Sequence, residues 1–82
     1  MPTVMRQGRV RYIIYPSDHR PAHVHLIGPE GEAIFNLNCP NGPCALRENY
    51  GVKSRPLNDI ERLTNKHIKE LCRAWEEIHG IA

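Results

Sequence analysis

Three of the chain's five histidines lie within the seven-residue segment 19–25, which reads H-R-P-A-H-V-H. Alternate residues of a β-strand point to the same face, so His23 and His25 are expected to share one face if the segment is extended. His19 precedes a proline turn, from which it can fold back toward the other two. Clustered imidazoles can bind a metal ion, transfer protons or bind an anion, and they can also form a purely structural polar corner.

A catalytic metal site needs two imidazoles on one face, a third ligand and an open position for water. His23 and His25 supply the pair, and the third ligand is either Glu32 on the next predicted strand or His19. The candidate metal ligands are therefore His23, His25 and Glu32, with a divalent metal as an uncertain cofactor. A structural alternative stays open, in which these histidines hydrogen-bond to Asn36, Asp18 or the backbone.

The same histidines could work without a metal, as an acid–base pair. His19, His23 and His25 are the catalytic candidates for a hydrolase or ribonuclease, where one imidazole takes the 2′-hydroxyl proton and another protonates the leaving oxygen. Arg11 or Arg20 would then stabilise the transition state. No serine or cysteine lies in a recognisable activating context, so a nucleophilic mechanism is not supported.

A second candidate function for this region is binding. Arginines are concentrated in the first quarter of the chain, where Asp18 is the only acidic residue. Arg9 and Arg11 are two apart on a predicted strand and are expected on the histidine face. The predicted binding residues are Arg9, Arg11, Arg20, Glu32 and Asn36. A basic face with histidines suits the backbone of RNA or DNA, although a solvated face that keeps a small sheet soluble has the same composition.

The elements that must position these side chains follow an α+β pattern. β-branched and aromatic residues predict strands over 9–15, 23–27 and 32–38, with a further short strand or turn near 45–50. Ser54 is the predicted N-cap of a helix that continues to His79 and Gly80. The five-residue step between the apolar residues Leu63 and Ile68 leaves open a kink or a second helix. We expect an antiparallel sheet of three to four strands covered by one long C-terminal helix.

The register of the predicted hairpin determines which face is the core. With residues 29 and 30 at the tip, His23 lies opposite Asn36, His25 opposite Ile34, and Ile27 opposite Glu32. One face is then entirely apolar and carries Val24, Leu26, Ala33, Phe35 and Leu37. The histidines are therefore predicted on the face away from the core, where they are accessible.

Length and composition limit the remaining possibilities. The 82 residues make a single domain over 1–82, and the formal net charge of +2 is too small to indicate nucleic-acid binding by itself. A domain of this size is often marginally stable alone, which leaves a homodimer open. The N-terminal sequence has no apolar signal segment and the chain has no membrane span, so we expect a cytoplasmic protein.

The three cysteines predict no disulfide framework. Cys39 and Cys44 flank a turn with a C-x4-C spacing that is too loose for a zinc knuckle. Cys72 falls in the helical pattern as a small core residue. We therefore expect free thiols in a reducing compartment.

Four segments together resemble a known family: M-P-T-V, H-R-P-A-H-V-H, E-A-I-F-N-L and A-W-E-E-I-H-G. Over nearly the whole chain the sequence is similar to small bacterial proteins of domain-of-unknown-function family 4160. The resemblance implies a two-gene arrangement with a small protein partner encoded nearby, as in a toxin–antitoxin-like pair. It supplies no catalytic residues, and the Cys39–Cys44 loop departs from the family's usual pattern.

Two functions follow as expectations. The first is a small cytoplasmic component of a toxin–antitoxin-like module that binds a protein partner through the histidine face, with nucleic acid as a further candidate ligand. The second is a histidine-dependent hydrolase or ribonuclease, with or without a bound metal.

Overall fold

The computed structural model describes residues 3–80, so positions 1, 2, 81 and 82 of the predicted domain lie outside the described residues. The elements in chain order are β1 Thr3–Gln7, β2 Val10–Ile13, β3 His23–Gly28, β4 Gly31–Asn36, β5 Ala45–Tyr50, α1 Ser54–Lys66 and α2 Ile68–His79. The strands form one sheet in sequence order, and each pairs antiparallel with its neighbour. The α+β class with an antiparallel sheet is confirmed.

The sheet has five strands where three to four were predicted. The strand β1 was not predicted, and β5 was predicted only as a short strand or turn. Both are edge strands with a single partner, and all six residues of β5 are exposed. An edge strand needs no buried apolar stripe, so its sequence carries little of the alternation that identifies a strand.

The predicted register of the β3–β4 hairpin is confirmed. His23 pairs with Asn36, His25 with Ile34, and Ile27 with Glu32. Gly31 closes the turn with φ 149°, and a Cβ there would collide with the backbone carbonyl of Tyr50 on β5. Glycine at this position therefore permits both the tight turn and the close approach of the next strand.

The core lies on the predicted face of the hairpin. Trp75 and Leu71 of α2 are fully or almost fully buried and belong to the same cluster as the apolar side chains of β3 and β4. Those strand residues are Val24, Leu26, Ala33 and Phe35, followed by Leu37. The helical layer therefore covers the face opposite the one predicted to carry the histidines.

Two helices replace the single long helix of the prediction, and they meet at His67. His67 has φ −107° and ψ 21°, which ends α1. Its amide still donates to Leu63 O at 3.1 Å, and its own carbonyl accepts from the Leu71 amide at 3.0 Å. The break therefore falls within the Leu63-to-Ile68 step. Lys53, one residue before the predicted Ser54, is the N-cap, while the predicted end at His79 and Gly80 is confirmed.

The expectation of free thiols is wrong for two of the cysteines. Cys39, in the loop after β4, forms a disulfide with Cys72 of α2. The pair is separated by 33 residues, and only the fold brings the two sulfurs together. Cys44 is free and buried. Burial, and to a smaller extent the nearby charge of Glu61, raises the pKa of its thiol to about 11. Cys44 is therefore a poor nucleophile near neutral pH.

Within residues 3–80, neither helix has the length and apolar character needed to cross a membrane.

Candidate metal centre

The turn after β2 holds Asp18 in a defined orientation. Residues 15–18 read Y-P-S-D, and proline at the second position favours a β-turn. The Asp18 amide donates to Tyr15 O at 3.0 Å, and the Tyr15 amide donates to Asp18 Oδ2 at 3.0 Å. His79 Nε2 also lies 3.0 Å from Tyr15 O, which ties the turn to the end of α2. One carboxylate oxygen of Asp18 is thus held by the backbone, and Oδ1 is left for other partners.

Two imidazoles of β3 meet this carboxylate. Asp18 Oδ1 lies 3.4 Å from His25 Nε2 and 3.6 Å from His23 Nε2. One ligand atom from each of the three residues can be chosen so that all lie within 4.8 Å of one another. The three side chains are mostly buried, with 7% of His23, 15% of His25 and 12% of Asp18 exposed.

The other ring nitrogen of each histidine has its own acceptor. His23 Nδ1 is 2.8 Å from Pro21 O, and a carbonyl oxygen can only accept, so Nδ1 carries the proton. His25 Nδ1 is 3.0 Å from Glu32 Oε2, and an ionised carboxylate likewise only accepts. The second nitrogen of each ring, Nε2, faces Asp18, and His25 Nε2 is within hydrogen-bonding distance of its Oδ1. A metal-binding histidine typically has this outer hydrogen bond, which fixes its tautomer and its orientation.

Either a proton or a metal ion satisfies this arrangement. Two ring nitrogens and a carboxylate oxygen face one another, and they repel unless a proton or a metal ion lies between them. Ligands at about 2.0–2.1 Å from a tetrahedral ion are about 3.3–3.5 Å apart. The two distances from Asp18 Oδ1, 3.4 and 3.6 Å, are close to that separation. Two of the three separations in the donor set therefore fit a small divalent ion, and the third is within 4.8 Å.

Aromatic and aliphatic side chains fix the two imidazole rings. Tyr15 contacts His25 edge-on with ring centroids 4.9 Å apart, and Trp75 lies 5.4 Å from His23. Buried Ile13 and Ile34 are the cross-strand neighbours of His25. These contacts limit rotation of both rings and exclude water from their flanks. The histidines are thus less accessible than predicted, and His23 also contacts a core residue.

A shallow, open pocket of about 240 Å³ lies over the cluster. Besides Asp18, His23 and His25, the pocket is lined by exposed residues from the turn after β2 and from β5. The full lining is Ser17, Asp18, His19, Arg20, His23, His25, Ile34, Arg47 and Glu48. The pocket leaves room beside Asp18 and the two imidazoles for water or a substrate group.

The predicted site residues separate into two groups. His23 and His25 form the centre, Glu32 contacts the outer nitrogen of His25, and His19 and Arg20 lie on the rim of the pocket. Asp18, and not Glu32, therefore lies with His23 and His25 in the group whose ligand atoms are within 4.8 Å of one another.

The remaining predicted binding residues lie outside the pocket. Arg9 is in the turn between β1 and β2, and Arg11 on β2 lies opposite Arg6 and Ile27. The register places Arg11 on the histidine face, two residues along β2 from Ile13, which is the residue that pairs with His25. Asn36 lies opposite His23, and its Oδ1 is buried without a hydrogen-bond partner among residues 3–80.

Sequence reasoning named Asp18 only as a hydrogen-bond partner of the histidines, a contact that the structure shows, and it missed His79 and Arg47. The Y-P-S-D turn brings the Asp18 carboxylate back toward the strand. His79 donates to the same turn from 64 residues away, and its ring stacks on Trp75 with centroids 4.1 Å apart. Arg47 reaches the pocket from β5. No local signal identifies these last two contacts.

Comparison with protein families gives one match. The family described as "Domain of unknown function (DUF4160)" matches residues 10–76, which include Asp18, His23, His25 and most of both helices. Neither the curated proteins nor the solved structures contain a significant match. Because the matched segment covers well over half of the 82 residues, the chain belongs to the DUF4160 family.

Proposed function

We propose that this protein is a divalent-metal-dependent hydrolase whose ion is held by Asp18, His23 and His25. One observation carries the proposal: both imidazoles direct Nε2 at the same oxygen of Asp18 while each Nδ1 is bound elsewhere. A divalent ion would take the position that these three donors share, and the outer hydrogen bonds would hold both rings in place around it.

The ligand types favour zinc. Two imidazoles and one carboxylate with a vacant fourth position are typical of catalytic zinc sites. The same set binds iron(II) in some oxygenases, so the choice of metal is decided by a metal panel. A bound zinc ion would lower the pKa of its coordinated water to about 7 and polarise a substrate oxygen.

The chain's own residues have separate parts in this proposal. The backbone-held carboxylate of Asp18 fixes the position of the ion. Glu32 orients His25 and increases the basicity of its Nε2. His19 is exposed on the pocket rim and outside the ligand set, where it can donate a proton to a leaving group.

Cobalt(II) substitution tests the vacant position directly. We expect chelator-treated protein to bind one cobalt ion per chain with visible absorption bands of a four- or five-coordinate site. Those bands should shift with a single ionisation near neutral pH, as the coordinated water loses its proton. Binding should weaken as the pH falls, because metal ligands must be deprotonated.

The matched variants are Asp18→Asn and Asp59→Asn, the latter changing an exposed carboxylate on α1. Asp18→Asn should abolish the bands, and Asp59→Asn should leave them unchanged. Absence of cobalt binding, or bands that survive Asp18→Asn, would contradict the proposed centre. Bands without a pH-dependent shift would contradict the vacant position.

The resemblance supports a second proposal, that the protein works with a small partner protein in a toxin–antitoxin-like pair. The fold is compatible with this because β5 ends the sheet and has no further strand beside it within residues 3–80. Co-expression with the product of the neighbouring gene should give a complex on size-exclusion chromatography. Two proteins that elute independently would count against this proposal.

A further inference from the structure

We infer that the substrate is a phosphodiester and that Arg47 of β5 binds its phosphoryl group beside the ion. This inference rests on the proposed hydrolase and adds the chemical class of its substrate.

The first argument is the charge of the pocket. Two guanidinium groups, Arg20 and Arg47, line it together with the metal ligands. Bound divalent metal would more than neutralise Asp18, and the other acidic residue of the lining, Glu48, offsets only one of the two arginines. The loaded pocket is therefore cationic and attracts an anion.

The second argument is the position of Arg47. Ile34 pairs with Glu48, whereas Phe35 pairs with Leu46, so Arg47 is an extra residue in a bulge of β5. A bulge re-aims the side chains of a strand, and bulges are enriched next to active sites. His25 on β3 pairs with Ile34 on β4, which in turn pairs with Glu48 on β5, next to Arg47. The backbones of Arg47 and His25 are therefore two strand spacings, or about 10 Å, apart. A long arginine side chain can span much of that distance.

Arg20 also lines the pocket, and it contacts the end of α2. Its Nη2 donates to His79 O at 3.4 Å, at the end of α2. Arg20 therefore adds positive charge to the pocket while it also bonds to α2. Arg47 is the arginine that β5 contributes to the lining.

The third argument concerns size and shape. A phosphoryl group is tetrahedral, so it can place one oxygen on the ion and two on the planar fork of a guanidinium. Pockets that enclose a whole small-molecule ligand measure about 300–1,000 Å³. This one is about 240 Å³ and open, so it suits one phosphoryl group while the rest of the substrate lies outside. A diester within a longer chain has that form.

The reaction balances without any further co-reactant. A bond forms between the oxygen of water and phosphorus, and one phosphorus–oxygen ester bond breaks. The leaving alkoxide takes a proton from His19, and the proton of the attacking water passes to solvent. The products are a phosphomonoester and an alcohol.

The test compares three p-nitrophenyl substrates on zinc-loaded protein: bis(p-nitrophenyl) phosphate, p-nitrophenyl phosphate and p-nitrophenyl acetate. We expect hydrolysis of the diester, with inhibition by inorganic phosphate. Arg47→Gln should lower kcat/KM for the diester at least tenfold and leave zinc affinity and the rate with the uncharged acetate unchanged. Arg47→Lys should recover part of the loss. Arg55→Gln, on the exposed surface of α1, is the matched control.

The outcomes separate this inference from the proposed function. Hydrolysis of the acetate alone, of the phosphomonoester alone, or of the diester at an unchanged rate in Arg47→Gln would overturn the inference while the hydrolase stands. Failure to bind zinc, or zinc-loaded protein that hydrolyses none of the three esters, would overturn the proposed function itself.

Discussion

The two faces of the β3–β4 hairpin use the same strands in different ways. Val24 and Phe35 on the core face are fully buried, and His23 on the other face is only 6% exposed. The core side chains require nothing beyond close packing, which has no direction. Each nitrogen of His23 and His25, in contrast, faces a specific oxygen atom. Burial alone does not require that arrangement, so we assign stability to the core face and propose ion binding for the histidine face.

The largest effect should come from the core face. Phe35→Ala removes a fully buried ring and should lower the free energy of unfolding by about 3–5 kcal/mol. Asp18→Asn in metal-free protein should change it by at most about 1 kcal/mol, because the amide oxygen can still accept from the Tyr15 amide. Urea unfolding in the presence of a chelator measures both values. Equal losses for the two variants would remove the distinction between the faces.

The disulfide should contribute almost as much as a core residue. Cys39 and Cys72 close a loop across 33 residues. Because the cross-link lowers the entropy of the unfolded chain, it should raise the free energy of unfolding by about 3–4 kcal/mol. Cys39→Ser/Cys72→Ser should lose that amount while retaining its zinc affinity below the unfolding transition. The measurement is urea unfolding with and without a reducing agent. The reductant should shift the wild type and leave the double variant unchanged, and an unshifted wild type would refute the contribution.

A smaller effect is expected at the outer partner of His25. Glu32→Gln keeps an acceptor near Nδ1 but removes its charge, so zinc affinity should fall about 10- to 100-fold, or about 1.4–2.7 kcal/mol. Glu30→Gln, at the exposed tip of the same hairpin, is the control and should leave zinc affinity as it is. Competition with a zinc-sensitive dye measures both. A loss of affinity as complete as that of Asp18→Asn would instead make Glu32 a ligand.

The smallest effect is expected for an ion pair on the surface. Asp59 and Arg62 on α1 are 3.4 Å apart, and their side chains are 60% and 78% exposed. Water and salt screen such a pair, so Asp59→Asn should change stability by no more than about 0.5 kcal/mol. Its effect on thermal unfolding should also be the same with and without zinc. A zinc-dependent shift in this variant would mean that the ion binds elsewhere.

The sequence predicted the parts of the fold that depend on local chemistry. Strand alternation and the turn residues 28–31 gave the hairpin register, and with it the core face and the shared face of His23 and His25. The helix end at Gly80 followed from its C-cap signal. The edge strand β1 escaped prediction because it has one partner and none of its residues is fully buried.

The candidate site was predicted only as far as one hairpin could show it. Glu32 was the nearest carboxylate by register, whereas Asp18 reaches the imidazoles through a turn whose exact closure depends on several hydrogen bonds. The contacts of His79 and the pairing of Cys39 with Cys72 join distant parts of the chain, so they depend on how α2 crosses the sheet. Such contacts leave no periodic signal in the sequence.

The most direct test of the metal centre is isothermal titration of zinc into chelator-treated, tag-free protein. We predict one zinc ion per chain for the wild type and for Asp59→Asn, and no saturable binding for Asp18→Asn or for His25→Ala. Saturation at 100 times the dissociation constant should also raise the free energy of unfolding of the wild type by about 2.7 kcal/mol. Wild-type protein that binds no zinc, or Asp18→Asn that binds it with unchanged affinity, would contradict the assignment of Asp18, His23 and His25 as a metal centre.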